Sequence, residues 1–230
     1  MSAFVDVIED KKMPASWQMQ KDSQLIDNLA NQQRPLVRFY EWESPTITYG
    51  YFINPEDHLV NHISGFDLAR RPTGGGILFH ANDWTFTVAI PRSHPKFSQN
   101  VLENYRLINE AVLEAICETV SSMSERPTIA LQKEEPLLSM RAFCMAAATK
   151  YDLLLDGLKI GGSAQRKTQF GFVHQASVFL SQPDWESLEG SLQNGKELVH
   201  AMKLTSSYLG KVSRETLSNA LIRSLESSLQ

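Results

Sequence analysis

Apolar residues at helical spacing open the chain: in PASWQMQKDSQLIDNLANQQ, residues 14–33, Trp17, Met19, Leu25, Ile26 and Leu29 mostly share one face and predict a first helix. The period then changes. PLVRFYEWESPTITYGYF is dense in aromatic and β-branched residues on both sides of Glu43-Ser44-Pro45, so two strands are expected, with Gly50 ending the second. After a polar loop carrying His58 and His62, FDLARRPTGGGILFHANDWTFTVAIP alternates β-rich runs with turn residues. It reads as a strand, a glycine turn, a short strand, an Asn-Asp turn and a strand stopped by Pro91, a β-hairpin system and not a strand running into a helix.

Helical spacing returns in NVLENYRLINEAVLEAICETV, residues 100–120, through Val101, Tyr105, Ile108, Val112, Leu113 and Ile116. Asn100 is placed to cap it, with Glu103 three residues on in a box-like arrangement. KYDLLLDGLKIGGSAQRK predicts a strand, an Asp-Gly turn and a short strand running into Gly161 and Gly162, with HQASVFL as a further strand. From position 184, Trp185, Leu188 and Leu192 predict a helix, and SRETLSNALIRSLESSL predicts another that starts at Ser213. No repeat, low-complexity tract or linker interrupts the pattern, so one α+β domain over residues 1–230 is expected, with clustered strands and helices outside.

Charge and composition narrow the function. A formal net charge of -4 with no basic run argues against general nucleic-acid binding. No apolar run reaches the roughly 20 residues that span a bilayer, and MSAFVDVIEDKKMPASW lacks a charged lead followed by an apolar core, so the expectation is a cytoplasmic protein without a membrane partner. The 2 cysteines, Cys117 and Cys144, make no disulfide framework, and no Cys/His spacing suits a metal site. Cys117, on the apolar face of the 100–120 helix, is assigned to the core as a small hydrophobe.

Two segments carry candidate chemistry. In RRPTGGGILFH, Gly74, Gly75 and Gly76 permit positive φ and let a ligand touch backbone N–H groups, beside Arg70 and Arg71. A strand follows the glycines, so this is neither a P-loop nor a dinucleotide fingerprint. Turn chemistry alone leaves a plain hairpin with solvated arginines equally open. In GLKIGGSAQRK, Lys159 precedes a second glycine pair and would face an anionic or thioester oxygen, an exposed strand lysine being the alternative.

Together, RRPTGGGILFH and DGLKIGGSAQRKTQFGFVHQASVFL resemble the catalytic domain of the biotin/lipoate ligase superfamily, on its lipoate side; RFYEWESPTITYGYF and KLTSSYLG extend the resemblance over most of residues 17–225. The resemblance implies a class II biotin/lipoyl synthetase-like α+β fold, a mixed β-sheet flanked by helices. It also implies a tunnel for a lipoyl or octanoyl chain, joined as an amide to a lysine of lipoyl domains in 2-oxoacid dehydrogenase complexes or of the glycine cleavage H protein. In the octanoyltransferases first met in Gram-positive bacteria, a cysteine ahead of the motif lysine takes the acyl group from acyl carrier protein. Cys144 stands 15 positions before Lys159, matching that pattern. The resemblance therefore makes Cys144 and Lys159 the catalytic pair, with Lys159 and the two arginines favouring the thiolate. Arg70, Arg71, Thr73, Gly74, Gly75, Gly76, His80, Gly161, Gly162, Ser163, Ala164 and His174 become substrate-binding, no metal site is implied, and Tyr49, Phe79 and Phe172 could line the tunnel, core packing being the usual place of strand aromatics. That reaction requires no cofactor. Two departures favour a ligase: MAAAT follows the cysteine, and TGGG is the ligase form. An ATP-dependent lipoate ligase would use ATP and Mg and work through lipoyl-AMP, often with a C-terminal accessory domain for which 230 residues leave no room. A non-catalytic acyl- or lipoyl-domain-binding protein is the third reading, and biotin ligation matches least. No residue presents itself as the base for the acceptor amine.

Overall fold

The computed structural model describes residues 4–60, 63–121, 127–134 and 143–230. In chain order the elements are β1 (Asp6–Glu9), α1 (Ala15–Asn28), β2 (Leu36–Tyr40), β3 (Thr46–Tyr49), β4 (Asp67–Arg70), β5 (Ile77–His80), β6 (Asp83–Pro91), α2 (Val101–Val120), β7 (Ile129–Leu131), β8 (Leu153–Leu155), β9 (Leu158–Lys159), β10 (Gly161–Thr168), β11 (Gly171–Phe179), α3 (Trp185–Ser191), α4 (Gly195–Thr205) and α5 (Arg214–Ser228). The frame is a five-stranded mixed sheet in the order β1-β2-β6-β11-β10, parallel between β1 and β2 and antiparallel elsewhere. Two three-stranded sheets, β4-β3-β5 and β7-β8-β9, complete an α+β architecture.

Alternation along β11 shows how the frame is covered. Phe172, Ala176 and Val178 enter a large core with Ile108, Val112 and Leu221 of α2 and α5. Between them, Val173 packs against Ile26 and Leu29 at α1, and Gln175 reaches Asp22 of α1. Both faces are therefore occupied, which is why all of β6 and β11 is buried. The predicted cap holds: the Asn100 side chain accepts from Leu102 N–H at 3.0 Å, while Glu103 meets the Ser98 hydroxyl and not the Asn100 N–H. Among the described residues no helix is long and apolar enough to cross a membrane.

The hairpin expectation for residues 66–91 is corrected. β4 and β5 do not pair with each other; they flank β3, in parallel and antiparallel respectively, and β6 belongs to the large sheet. The Arg71–Gly76 loop passes across the end of β3 to reach its other edge, and the Ala81-Asn82 turn moves the chain between sheets. Gly50 makes that crossing possible, because a Cβ there would stand 2.0 Å from the Gly75 carbonyl oxygen. Gly75 itself has φ +83°, a value that favours glycine.

Other expectations move as well. Gly161 and Gly162 begin a regular strand, with Gly161 pressed to within 2.8 Å, at its missing Cβ, of the Ser177 carbonyl. Cys117 is exposed, because the buried face of α2 runs through Ile116 and Val120 instead. Phe79 and Tyr49 pack in the cluster beneath the small sheet, and Phe172 in the core under α2, so none of the three lines the slot described below. β1, β7 and α4 carry no pattern that marked them in advance. His62 lies outside the described residues.

Candidate active site

A narrow slot of about 350 Å³, open mouth included, lies between the α1-side face of the large sheet and the small sheet. Its floor follows from strand alternation: Gly162 and Ala164 on β10, and Gln175 and Ser177 on β11, face the same side. The two small residues on β10 leave the space, and Leu78, Met19 and Trp42 supply apolar walls. Thus Gly162 and Ala164 shape the slot, while Ser163 contributes at its rim and gives its hydroxyl to Asn109 Oδ1 at 3.2 Å.

Cys144 enters this slot from the edge of β5. Phe143 bridges Ile77 in parallel, and the Cys144 N–H donates to the Ile77 carbonyl at 2.9 Å. Phe143 and Met145, on either side, are buried in the cluster beneath, so Cys144 is left half-buried and facing the opening. A Cβ on Gly162 would stand 3.5 Å from the Cys144 Cβ.

Arg71, 5% exposed, stands beside the thiol. Nη1 donates to Thr48 Oγ1 at 2.7 Å, and Nη2 donates to the Gly76 carbonyl at 2.5 Å and the Gly74 carbonyl at 3.2 Å. No carboxylate is among these partners. Burial pushes the Arg71 pKa below its ordinary value, opposed by attraction to Cys144 and a hydrogen bond with its side chain. The adjacent Arg70 points outward and lies over the exposed Tyr51 ring at 4.9 Å. Consecutive strand-end residues thus separate one buried and one solvated guanidinium.

His80 also lines the slot, 4.4 Å from the Trp42 ring. Its Nε2 is 2.7 Å from Thr48 Oγ1 and its Nδ1 2.6 Å from Asp83 Oδ2. Burial disfavours ionised Asp83, yet attraction to His80 and hydrogen bonds from His80, Ser177 and Thr85 hold its pKa below the usual carboxylate range.

The triglycine loop is rooted in the frame through Thr73, whose hydroxyl donates to Gln175 Oε1. Gln175 Nε2 donates to Asp22 at 2.5 Å, and Asp22 also accepts from Arg38 at 2.7 Å and Thr87 at 2.9 Å. Sequence reasoning missed this support. Its signal was present: Gln18 and Asp22 share the buried face of α1 with Ala15, Met19 and Ile26, where polar residues need partners. Thr48 and Asp83 were missed as well, and β3 offered no signal because three of its four residues are buried.

Lys159 and His174 stand apart from the slot. Lys159 Nζ donates to Asp152 at 2.6 Å and to the Ala147 carbonyl at 2.9 Å, in the loop that carries Cys144. Asp152 also accepts from the Tyr105 hydroxyl at 2.8 Å and the Thr149 N–H at 2.7 Å. Burial and the Asp152 charge push the Tyr105 pKa well above its ordinary value. His174 lies on the opposite face of the large sheet, its ring 5.2 Å from that of Tyr105, and burial pushes its pKa down to about 3.

The profile of the family described as Lipoyl protein ligase A/B catalytic domain matches residues 14–226. Octanoyltransferase LipM of Geobacillus kaustophilus is 31% identical over 178 residues, 75% of this chain and 64% of that protein. Octanoyltransferase LipM of Staphylococcus aureus is 32% identical over 161 residues, 67% of this chain and 57% of that protein. The chain therefore spans less than two thirds of the length of these relatives. Among solved structures, Ta0514, a putative lipoate protein ligase from T. acidophilum with bound lipoic acid, superposes with a TM-score of 0.71 at 21% identity, covering 100% of this chain and 86% of that one. Lipoate-protein ligase A bound with ATP gives 0.70 at 21% identity with the same coverages, 100% and 86%. At such identities the likeness is one of fold, and it agrees with the α+β arrangement described above. The profile match, which takes in α1 through most of α5, with the slot, Cys144 and the triglycine loop, establishes that the chain belongs to the lipoyl protein ligase A/B catalytic domain family.

Proposed function

We propose that this chain is an acyltransferase that holds an octanoyl or lipoyl group as a Cys144 thioester and passes it to one lysine of a lipoyl domain. The observation that carries the reading is a half-buried thiol at an apolar slot, beside a desolvated guanidinium with no carboxylate partner among the described residues. A thiolate at Cys144 supplies the negative charge that Arg71 lacks. In the first step the thiolate attacks the thioester carbonyl of acyl carrier protein; the carbonyl carbon gains a bond to Sγ and loses its bond to the carrier sulfur, which leaves as a thiol with the proton Cys144 gave up. In the second, the neutral amine of the acceptor lysine attacks the Cys144 thioester, the C–S bond breaks, and the departing sulfur takes the amine proton. Exchange between thioesters is nearly neutral in energy and amide formation is downhill, so no ATP enters. Arg71 offers N–H groups to the charge that develops at each carbonyl. Lys159 supports the site through the Ala147 carbonyl.

The names of the octanoyltransferase relatives support this reading. The acceptors fitting it are lipoyl domains of 2-oxoacid dehydrogenase complexes and the glycine cleavage H protein; a solved archaeal ligase of this fold is described with its own lipoyl domain. A second reading, an ATP-dependent lipoate ligase using magnesium, is favoured by the triglycine loop, where Gly74 has open space in place of a side chain. Intact-protein mass separates the two. Incubation with octanoyl-loaded carrier protein adds one octanoyl group to the parent and none to Cys144→Ser. Pyrophosphate release from free lipoate and ATP, retained in Cys144→Ser, replaces the transferase by the ligase; binding of lipoate without turnover in either arm leaves a non-catalytic binder.

A further inference from the structure

Arg71 and Asp83 do not touch, yet a continuous chain of side chains joins them. Arg71 Nη1 meets Thr48 Oγ1 at 2.7 Å, Thr48 Oγ1 meets His80 Nε2 at 2.7 Å, and His80 Nδ1 meets Asp83 Oδ2 at 2.6 Å. All four side chains are buried, none of the four residues more than 5% exposed. The two ends are fixed: a guanidinium only donates, and an ionised carboxylate only accepts. Thr48 accepts from Arg71 and, with His80 neutral, passes its own proton to Nε2 while Nδ1–H donates to Asp83; with His80 protonated, both ring nitrogens donate and the Thr48 oxygen accepts twice. Ser177 and Thr85 also donate to Asp83 Oδ2, anchoring that end.

We infer that Thr48, backed by the His80–Asp83 pair, is a positioning element that orients Arg71 toward Cys144. Arg71 has two carbonyl acceptors for Nη2, both on the triglycine loop, and Thr48 is the acceptor that holds Nη1. Without it the guanidinium can turn about its remaining contacts and leave the thiol. The inference rests on the role proposed for Cys144, but its chemistry is read without an acyl donor.

The titratable groups that bear on Arg71 are Cys144 from the loop after residue 143, Tyr40 from β2 and, through Thr48, His80 from β5 with Asp83 from β6 behind it. The test is site-resolved alkylation of Cys144 by iodoacetamide against pH, in a Cys117→Ser background. Thr48→Val keeps a β-branched residue in the strand and removes the hydroxyl. It is expected to slow alkylation at neutral pH roughly tenfold, the scale of one charge-assisted hydrogen bond, and to move the profile toward higher pH, while Thr48→Ser restores both. A folded valine variant with the parent profile overturns the inference, as does a serine variant as impaired as valine, which would assign the effect to the lost methyl. Should the valine variant not fold, nitrogen NMR of the parent decides: His80 carrying a proton on Nδ1, with or without a second on Nε2, supports the chain, and a proton on Nε2 alone overturns it. A shifted alkylation profile in a protein that never gains octanoyl mass keeps the positioning chain and removes the acyltransferase reading; normal octanoylation with an unshifted profile does the reverse.

Discussion

Two buried cations flank the loop that bears Cys144, and their surroundings differ in one respect. Lys159, 3% exposed, has a carboxylate at 2.6 Å, and Asp152 in turn is saturated by Tyr105 and Thr149. Arg71, 5% exposed, is held by a hydroxyl and two carbonyls, with no carboxylate among its described partners. A compensated cation has its field spent on its partner, whereas an uncompensated one acts on whatever approaches. The first is built to hold a loop, the second to meet a charge that comes and goes.

Breaking each side of this comparison has a different signature. The largest stability effect is expected from Asp152→Ala, which strands the Lys159 ammonium: a loss of about 3–5 kcal/mol in urea unfolding, with much of it recovered in Asp152→Leu combined with Lys159→Met. Arg71→Met is expected to lower acyl transfer about 10²-fold, measured by the rate of octanoyl gain, with a smaller change in unfolding free energy. A third expectation concerns pH. His174 titrates near 3 when folded and near its ordinary value of 6.5 when unfolded, so the unfolded chain binds more protons between these values. Stability is therefore present above about 6.5 and is lost as pH falls, by about 1.4 kcal/mol per unit, and His174→Phe flattens the slope in urea titrations at pH 7, 5 and 4. Asp83 adds a term of the same sign at lower pH, since its depressed pKa means its stabilisation is lost as pH falls below the ordinary carboxylate range. The smallest effect is expected at Arg70, whose solvated guanidinium lies over Tyr51: Arg70→Ala should leave the unfolding free energy within about 0.5 kcal/mol of the parent.

Much of the fold was legible because local pattern and final environment agree. α2, with its Asn100 cap, and the Asp156-Gly157 turn between β8 and β9 come directly from spacing and turn chemistry. What was not legible depends on pairing at a distance. FDLARRPTGGGILFH looks like a hairpin because its strands are adjacent in sequence, but β3, whose Ile47 pairs with Leu68 21 positions later, lies between them. At the site, Cys144 and the triglycine loop could be singled out from their residues, and the slot brings Cys144, Arg71, His80 and Gly162 together. That Lys159 turns to Asp152 depends on how the loop after Ala147 folds back, and the usefulness of Thr48 on where two strands place His80 and Arg71. Residue type does not encode such meetings.

The contact between Gly50 and Gly75 has a practical consequence. With a methyl at position 50 falling 2.0 Å from the Gly75 carbonyl, the strand end and the loop are separated by bare backbone, and no side chain fits in that seam without displacing the loop. The carbonyls of Gly74 and Gly76 that grip Arg71 would travel with it. A change at Gly50 would thus resemble the loss of a reacting group, although no reacting atom had been altered.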